Sequence, residues 1–170
     1  MANKIRVDVY MDDLLEARRT FDAMGQLPAR IVTAAAGRGA TVVKRAVKNS
    51  AEIPVLTGSM RKAVRRLRAE RSKVKGKKVY PVGFDPAMNS VLQKPIRNPG
   101  EAGGQNDKAY YPASMEYGFL TRSKGGGISY FPGFHFMAEV GERTREAAKA
   151  AMAKKFNEAI QKEWRKRHGS

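Results

Sequence analysis

EAAKAAMAKKFNEAIQKEW, residues 146–164, carries the clearest structural signal of the chain. Apolar residues step through it at every fourth position: Ala148, Met152, Phe156, Ile160 and Trp164. Residues 138–167 contain no proline, and their one glycine, Gly141, lies near the start. This pattern predicts a C-terminal amphipathic helix over residues 138–167 that packs through one apolar side.

A second helical pattern supplies a long partner for this helix. It runs from about Ala29 to Ser50 and follows Pro28, a residue that suits the first turn of a helix. Its apolar residues recur at three-to-four spacing: Ile31, Ala34, Ala35, Val42, Val43, Ala46 and Val47. Gly37 and Gly39 weaken such a helix by about 1 kcal/mol each relative to alanine. Their presence predicts a kink or a close contact with another helix.

Short segments with strand composition complete the pattern. Residues 4–10 alternate apolar and polar positions, and a helix capped by Asp12 or Asp13 is expected to follow them. Residues 78–84 hold Pro81, which is typical of an edge strand. The sequence therefore predicts an α+β fold in a single domain, residues 1–170. A small, mostly antiparallel sheet is flanked by long N-terminal and C-terminal helices, with extended loops.

The segment YYPASMEYGFLT, residues 110–121, holds a single acid among tyrosines. Alternation predicts a strand whose core face carries Tyr111, Ala113, Met115 and Tyr117. Glu116 then lies on the opposite face, where we expect it to pair with a basic residue of its own or a neighbouring subunit. Gly118 frees the chain to turn into an aromatic arm over residues 119–136, with a glycine tip at residues 125–127.

The charge is strongly unbalanced, with a formal net charge of +17. Residues 61–78 contain ten basic residues and one acid, a local net charge of +9, and are predicted to form an exposed basic hairpin or arm near Gly76. Such a balance favours contact with a polyanion, although a solvated basic surface is the simpler interpretation. Residues 85–108 are rich in Pro and Gly and predict a long loop, with a short helical piece at 87–92.

Signals for catalysis are weak. The chain has two histidines, His135 and His168, and no cysteine, and its acids are scattered along helices. No phosphate loop, zinc-finger spacing or other base-reading motif is present. We therefore expect no enzyme activity, no catalytic residues, no metal site and no cofactor. No window approaches the length of a membrane span, and the start lacks a secretory signal, so we expect a protein assembled in the cytoplasm and no membrane partner.

Three motifs, in this order, resemble those of the head–tail joining, or neck and tail-completion, proteins of long-tailed phages. They are IPVLTGSMRKAV (53–64), YYPASMEYGF (110–119) and FPGFHFMAEV (131–140). The matching positions are Pro54, Thr57, Gly58, Met60, Arg61, Tyr111, Glu116, Tyr117, Gly118, Pro132, Phe134 and Phe136. The long helices before and after the motifs extend the resemblance over most of the chain.

The resemblance implies a virion structural protein that joins the tail to the portal side of the capsid and lets DNA pass. It implies a homo-oligomeric ring, with six-fold symmetry expected, between head-completion, adaptor or portal-side proteins and tail-terminator or tail-tube proteins. The expected interface or DNA-channel contacts are Arg61, Lys62, Arg65, Arg66, Arg68, Lys73, Lys75, Glu116, Tyr117, Phe131 and Phe134. The alternative is a basic protein that binds nucleic acid without reading its sequence.

Overall fold

The computed structural model describes residues 29–53, 58–70, 77–95, 108–123 and 125–168, without the side chains of residues 122, 164 and 166–168. These residues contain six helices: α1 (Ala29–Asn49), α2 (Ser59–Ala63), α3 (Asn89–Leu92), α4 (Tyr111–Tyr117), α5 (Phe136–Arg143) and α6 (Arg145–His168). Antiparallel strands pair as β1 (Val64–Arg66) with β2 (Val82–Phe84), β3 (Gln93–Pro95) with β4 (Lys108–Tyr110), and β5 (Gly118–Arg122) with β6 (Ile128–Pro132).

The predicted α+β fold class is confirmed, with its strands divided among three two-stranded sheets instead of one. The predicted strand at residues 4–10 and the helix after it lie outside the described residues. None of the helices in the described part of the chain combines the length and apolar content needed to cross a bilayer.

The main packing unit is the pair of long helices α1 and α6, which run antiparallel. At one end Arg30 forms an ion pair with Glu163, and next to it Phe156 packs against Ile31 and Ala35. Towards the other end of α1 the contacts pass into the larger core, which contains Val43, Val47, Ala148, Phe136, Met137 and Val140. The predicted apolar stripes are thus buried at most of their positions, as the helical period requires, although Ala34 is exposed and the side chain of Trp164 lies outside the described part.

Close approach between these helices depends on glycine. A Cβ atom at Gly39 would lie 2.5 Å from Cγ of Met152, and one at Gly37 would lie 2.7 Å from Nη1 of Arg66. Met152 is itself buried, so its side chain fills the space that a larger residue in α1 would occupy. The predicted close contact with another helix is confirmed for Gly39, whereas Gly37 lies against the Arg66 side chain of β1.

The C-terminal helix predicted over residues 138–167 is divided into α5 and α6 at Thr144, whose φ of -97° and ψ of 0° depart from helical values. The Thr144 hydroxyl donates to the carbonyl oxygen of Val140 at 2.7 Å, a back-bond that bends helices. Backbone hydrogen bonds continue across this residue, from Thr144 N–H to Val140 and from Ala148 N–H to Thr144. The helical segment also begins two residues earlier than predicted, at Phe136.

The first part of the predicted loop over residues 85–108 contains the predicted helical piece and also a strand, β3, that was not predicted. Asp85 accepts a hydrogen bond from Ala87 N–H and starts a 3₁₀ turn at Pro86–Met88, which leads into α3. The short helical piece predicted at 87–92 is thereby confirmed, and its Leu92 reaches the core. Strand β3 then pairs with β4, which brings the two ends of this segment together. Residues 96–107 lie outside the described part.

The strand predicted over residues 110–121 is wrong for residues 111–117, which form helix α4, whereas Tyr110 ends β4 and residues 118–121 belong to β5. Pro112 lies in its first turn, where proline needs no amide partner. Its buried residues, Pro112, Met115 and Glu116, follow a spacing of three and four instead of two. Tyr117, expected in the core, is exposed, and Glu116, expected on the outer face, is buried.

Candidate assembly surface

Strands β5 and β6 form a hairpin, residues 118–132, that we call the aromatic ribbon. Its register pairs Gly118 with Pro132, Phe119 with Phe131 and Leu120 with Tyr130. Strand β6 packs chiefly against β5, and β5 packs against the preceding helix α4. The ribbon therefore joins the rest of the described fold, which we call the body, through its base. The aromatic arm predicted over residues 119–136 is thus confirmed as a hairpin, except that Phe136 belongs to α5.

Apolar side chains line both faces of the aromatic ribbon. On one face Phe119 stacks on Phe131 with ring centroids 5.1 Å apart, and Phe134 meets Phe131 edge-on at 5.9 Å. On the other face Leu120 and Tyr130 lie opposite each other and are 70% and 61% exposed. Ile128, near the tip, is 64% exposed. A strand with one solvated face normally alternates apolar with polar residues, whereas this hairpin carries exposed apolar side chains on both faces.

The tip of the aromatic ribbon is a closed turn. Ser123 N–H donates to the carbonyl of Gly127, and Gly126 N–H donates back to the carbonyl of Ser123. The Ser123 hydroxyl oxygen also accepts from Gly127 N–H at 3.1 Å. Gly126 has φ of 85°, a left-handed conformation that glycine adopts without a steric cost. The three-glycine run therefore makes a defined hairpin turn.

Glu116 holds the base of the aromatic ribbon in place. This residue is buried, with only 2% of its surface exposed. Its carboxylate accepts hydrogen bonds from Met137 N–H at 2.9 Å and Ala138 N–H at 3.2 Å. These are the second and third amides of α5, the positions that an N-cap side chain normally satisfies. His135, at the N-cap position itself, makes no such bond. Glu116 therefore caps α5 from a separate helix, and its negative charge faces the positive end of the helix dipole.

Backbone contacts complete this fastening, which we call the Glu116 clasp (residues 115–118 and 133–138). Phe134 N–H donates to the Met115 carbonyl at 2.8 Å, and His135 N–H donates to the Glu116 carbonyl at 3.2 Å. Gly118 has φ of 88°, and the two passing segments are so close that a Cβ at Gly133 would strike the Glu116 carbonyl. The clasp thus fixes where the ribbon leaves the body. The expectation that Glu116 pairs with a basic residue is corrected: its partners are backbone amides.

The other predicted aromatic contacts lie at this base. Tyr117 is exposed, and its carbonyl accepts a hydrogen bond from the Tyr130 hydroxyl at 2.9 Å. Phe131 and Phe134 belong to the stacked cluster and are partly exposed. Sequence reasoning named these residues but missed Leu120, Ile128 and Tyr130 as site residues. These three residues could have been found from the period of two in a strand. Apolar residues occupy both sets of alternate positions in this segment, so the segment cannot bury all of them in one core.

The basic residues that were predicted as contacts differ in their surroundings within the fold. Arg61 donates to the Ser50 carbonyl at 2.9 Å and so links α2 to the end of α1. Arg65 pairs with Asp85 at 2.6 Å, and Arg66 donates to the Gly37 carbonyl at 3.1 Å. Lys62 and Arg68 are exposed. Arg61, Arg65 and Arg66 therefore have structural partners within the subunit, while Lys73 and Lys75 lie outside the described residues.

Two ionisable groups near the body have shifted pKa values. The hydrogen bond from Arg143, followed by that from Ser50, lowers the pKa of Glu52, which connects the end of α1 to α5. Burial raises the pKa of Tyr110, the residue before α4. Within the residues that the structure describes, no three acidic or histidine side chains converge as a metal site requires.

Comparison of the chain with protein-family models, with curated proteins and with solved structures finds no significant match. The surface geometry and the sequence motifs therefore carry the functional argument.

Proposed function

We propose that this chain is a non-catalytic structural subunit of a phage neck or tail-completion ring, located in the virion and assembled in the host cytoplasm. In this role it joins the tail to the portal side of the capsid, with portal-side or adaptor proteins above it and tail-terminator or tail-tube proteins below it. Packaged DNA passes through the ring. The order of the three sequence motifs and the aromatic ribbon both support this proposal.

The observation that carries the proposal is the exposure of both apolar faces of the aromatic ribbon. An isolated two-stranded hairpin is marginally stable in water, and here the body holds only its base. Both outer strand edges also lack a further strand within the described residues. A second copy of the chain that covers one face or edge would bury this surface and stabilise the ribbon.

Charge favours a neighbouring copy in a head-to-tail arrangement. The ribbon sequence contains Arg122 and Lys124 and no acid. Exposed acids lie instead on the outer side of α5 and the start of α6, at Glu139, Glu142 and Glu146. Glu142 and Glu146 pair within the chain with Arg145 and Lys149, so Glu139 is the acid of this set without an ion pair among the described residues. A positively charged ribbon laid against these carboxylates of the next subunit is a heterologous contact, which closes into a ring when the rotation allows. Six subunits are the stoichiometry that the resemblance implies.

Mass photometry of the chain, alone and co-expressed with the portal-side and tail-tube proteins of its phage, tests the proposal. We expect rings of the wild-type chain in at least one of these mixtures. The double variant Leu120→Ser/Ile128→Ser should prevent ring formation and leave the circular dichroism spectrum unchanged. Val91→Ser is the matched control, because Val91 is an exposed apolar residue outside the ribbon.

Two results would overturn the proposal. One is a monomer at every concentration and with every neighbouring structural protein. The other is ring formation by the double ribbon variant at the same concentration as by Val91→Ser, since the ribbon would then lie outside the subunit contact.

A further inference from the structure

A basic groove lies on a different part of the molecule, between α1 and the extension of the β1–β2 sheet. Its volume is about 850 Å³. Its lining residues come from three segments: Thr33 of α1, Arg66 to Glu70 after β1, and Lys78 and Tyr80 before β2. The aromatic ribbon and the Glu116 clasp contribute no residue to it.

A β-bulge shapes this groove. Leu67 N–H donates to the Pro81 carbonyl, and Glu70 pairs with Val79 further along the two chains. Two residues, Arg68 and Ala69, therefore stand opposite one, Tyr80. An extra residue on one strand interrupts the alternation of faces and re-aims neighbouring side chains. Five consecutive residues, 66–70, consequently line the same groove.

The groove is cationic. Arg66, Arg68 and Lys78 contribute three positive charges against the one negative charge of Glu70. The first of these cations is held in place, since the Arg66 guanidinium lies 4.8 Å from the centroid of the Tyr80 ring and donates to the Gly37 carbonyl. Arg68 and Lys78 are exposed and form no ion pair with any residue that the structure describes. Both remain available to an anion.

We propose that this groove binds nucleic acid through its phosphodiester backbone, without reading base sequence. A fixed guanidinium beside two mobile cations suits successive phosphates, which carry the affinity of non-specific binding. The guanidinium on Tyr80 also provides a flat surface of the kind on which an unpaired base stacks. An acidic protein surface would use the charges but not this stacked pair. The groove can bind nucleic acid in a monomer as well as in a ring subunit. This proposal is therefore independent of the proposed ring assembly.

Fluorescence anisotropy with two labelled DNA probes, a 20-nucleotide single strand and the matching duplex, measures this binding over a series of salt concentrations. The test variant is Arg68→Ala/Lys78→Ala, which removes two groove cations that have no partner in the described structure. The matched control is Lys154→Ala/Lys162→Ala, which removes two exposed cations from α6. Both variants lose the same charge, so a general effect of net charge changes them equally.

We expect the groove variant to bind at least about tenfold more weakly than wild type. The slope of log affinity against log salt should fall by about 1.8 on the duplex or about 1.4 on the single strand, as two lost phosphate contacts require. The control should keep the wild-type slope. Tighter binding of the single strand than of the duplex identifies stacking on the Arg66–Tyr80 pair as part of the site.

Equal losses by the two variants would overturn the proposal, because binding would then follow overall charge. Absence of DNA binding by the wild-type chain at low salt would also overturn it. Poly-L-glutamate serves as the competitor in the same assay. If it displaces DNA at equal charge concentration, and the groove variant weakens both ligands alike, the groove is a site for acidic protein surfaces.

Discussion

Replacement of Glu116 by glutamine perturbs the clasp with almost no change of shape. The carboxylate accepts two backbone N–H bonds, and glutamine retains one acceptor oxygen while it turns an NH₂ group towards the other amide. One N–H of α5 then loses its partner inside a buried site. The variant therefore tests whether the carboxylate, and not merely the side-chain volume, holds the start of α5.

The magnitude follows from the bonds and the helix dipole. A hydrogen bond to a charged group contributes about 1.5–3 kcal/mol, and a partly buried charge at a helix end contributes up to about 2 kcal/mol. Removal of a buried charge offsets part of this loss. We expect Glu116→Gln to lower the free energy of unfolding by about 3 kcal/mol. At about 2–4 °C per kcal/mol for a chain of this length, the Tm should fall by about 6–12 °C.

Urea unfolding followed by circular dichroism at 222 nm gives this free energy. Glu139→Gln is the matched control, since Glu139 is an exposed acid in the first turn of the same helix and the charge change is identical. An exposed charge near a helix end contributes about 0.3–1 kcal/mol, so the control should lose no more than that. Amide hydrogen exchange provides a local measurement, because at least one of the Met137 and Ala138 amides should lose protection in Glu116→Gln, and neither should in Glu139→Gln.

Equal losses in the two variants, within about 0.5 kcal/mol, would refute the reasoning. Such a result would mean that the negative charge acts only through the helix dipole and that the two buried hydrogen bonds add nothing. Unchanged protection of the Met137 and Ala138 amides in Glu116→Gln would refute it independently, since these are the two groups that the carboxylate binds.

Two further predictions concern the body of the fold. Gly39→Ala should destabilise by about 1–3 kcal/mol, because its Cβ meets buried Met152. Gly37→Ala should cost less, because the higher helix propensity of alanine, about 1 kcal/mol, offsets part of the loss when its Cβ displaces the Arg66 guanidinium from the Gly37 carbonyl and the Tyr80 ring. Equal Tm values would contradict this difference. Glu52→Gln should be less stable than wild type near neutral pH, where the Glu52 carboxylate pairs with Arg143. Because this pairing lowers the pKa of Glu52, the difference should vanish as the pH falls through that lowered pKa and protonation breaks the pair. A difference that persists once Glu52 is fully protonated would exclude the ion pair as its cause.

Several elements could be predicted from the sequence because their signals repeat along the chain. Helix α1 and most of α6 were predicted within a few residues, since their apolar stripes extend over many turns. An aromatic arm over residues 119–136 was predicted from its glycine tip and its strand composition, and the structure shows that residues 118–132 of this region form a hairpin. The segment at 110–117 was assigned to the wrong element because seven residues fit both periods, and only the burial of Pro112, Met115 and Glu116 on one helical side distinguishes them.

The candidate sites depend on contacts between distant residues, which no local pattern carries. Arg61 looked like one more residue of a basic arm, yet its guanidinium binds the Ser50 carbonyl. The division at Thr144 was hidden because the hydrogen bonds and the apolar spacing continue across it. The bulge that collects five consecutive residues in one groove appears only when both strands are paired.

The sequence by itself determined the two long amphipathic helices, the excess of positive charge and the presence of a glycine-tipped aromatic segment. These properties arise from residue type and spacing within one stretch of chain. Only the tertiary structure decided that Glu116 is buried and caps α5, that both faces of the aromatic ribbon remain exposed, and which arginines are free. Each of these outcomes depends on which segments of the chain pack together. A Glu or an Arg is the same letter in the sequence whether its charged group contacts water, an ion or a backbone amide.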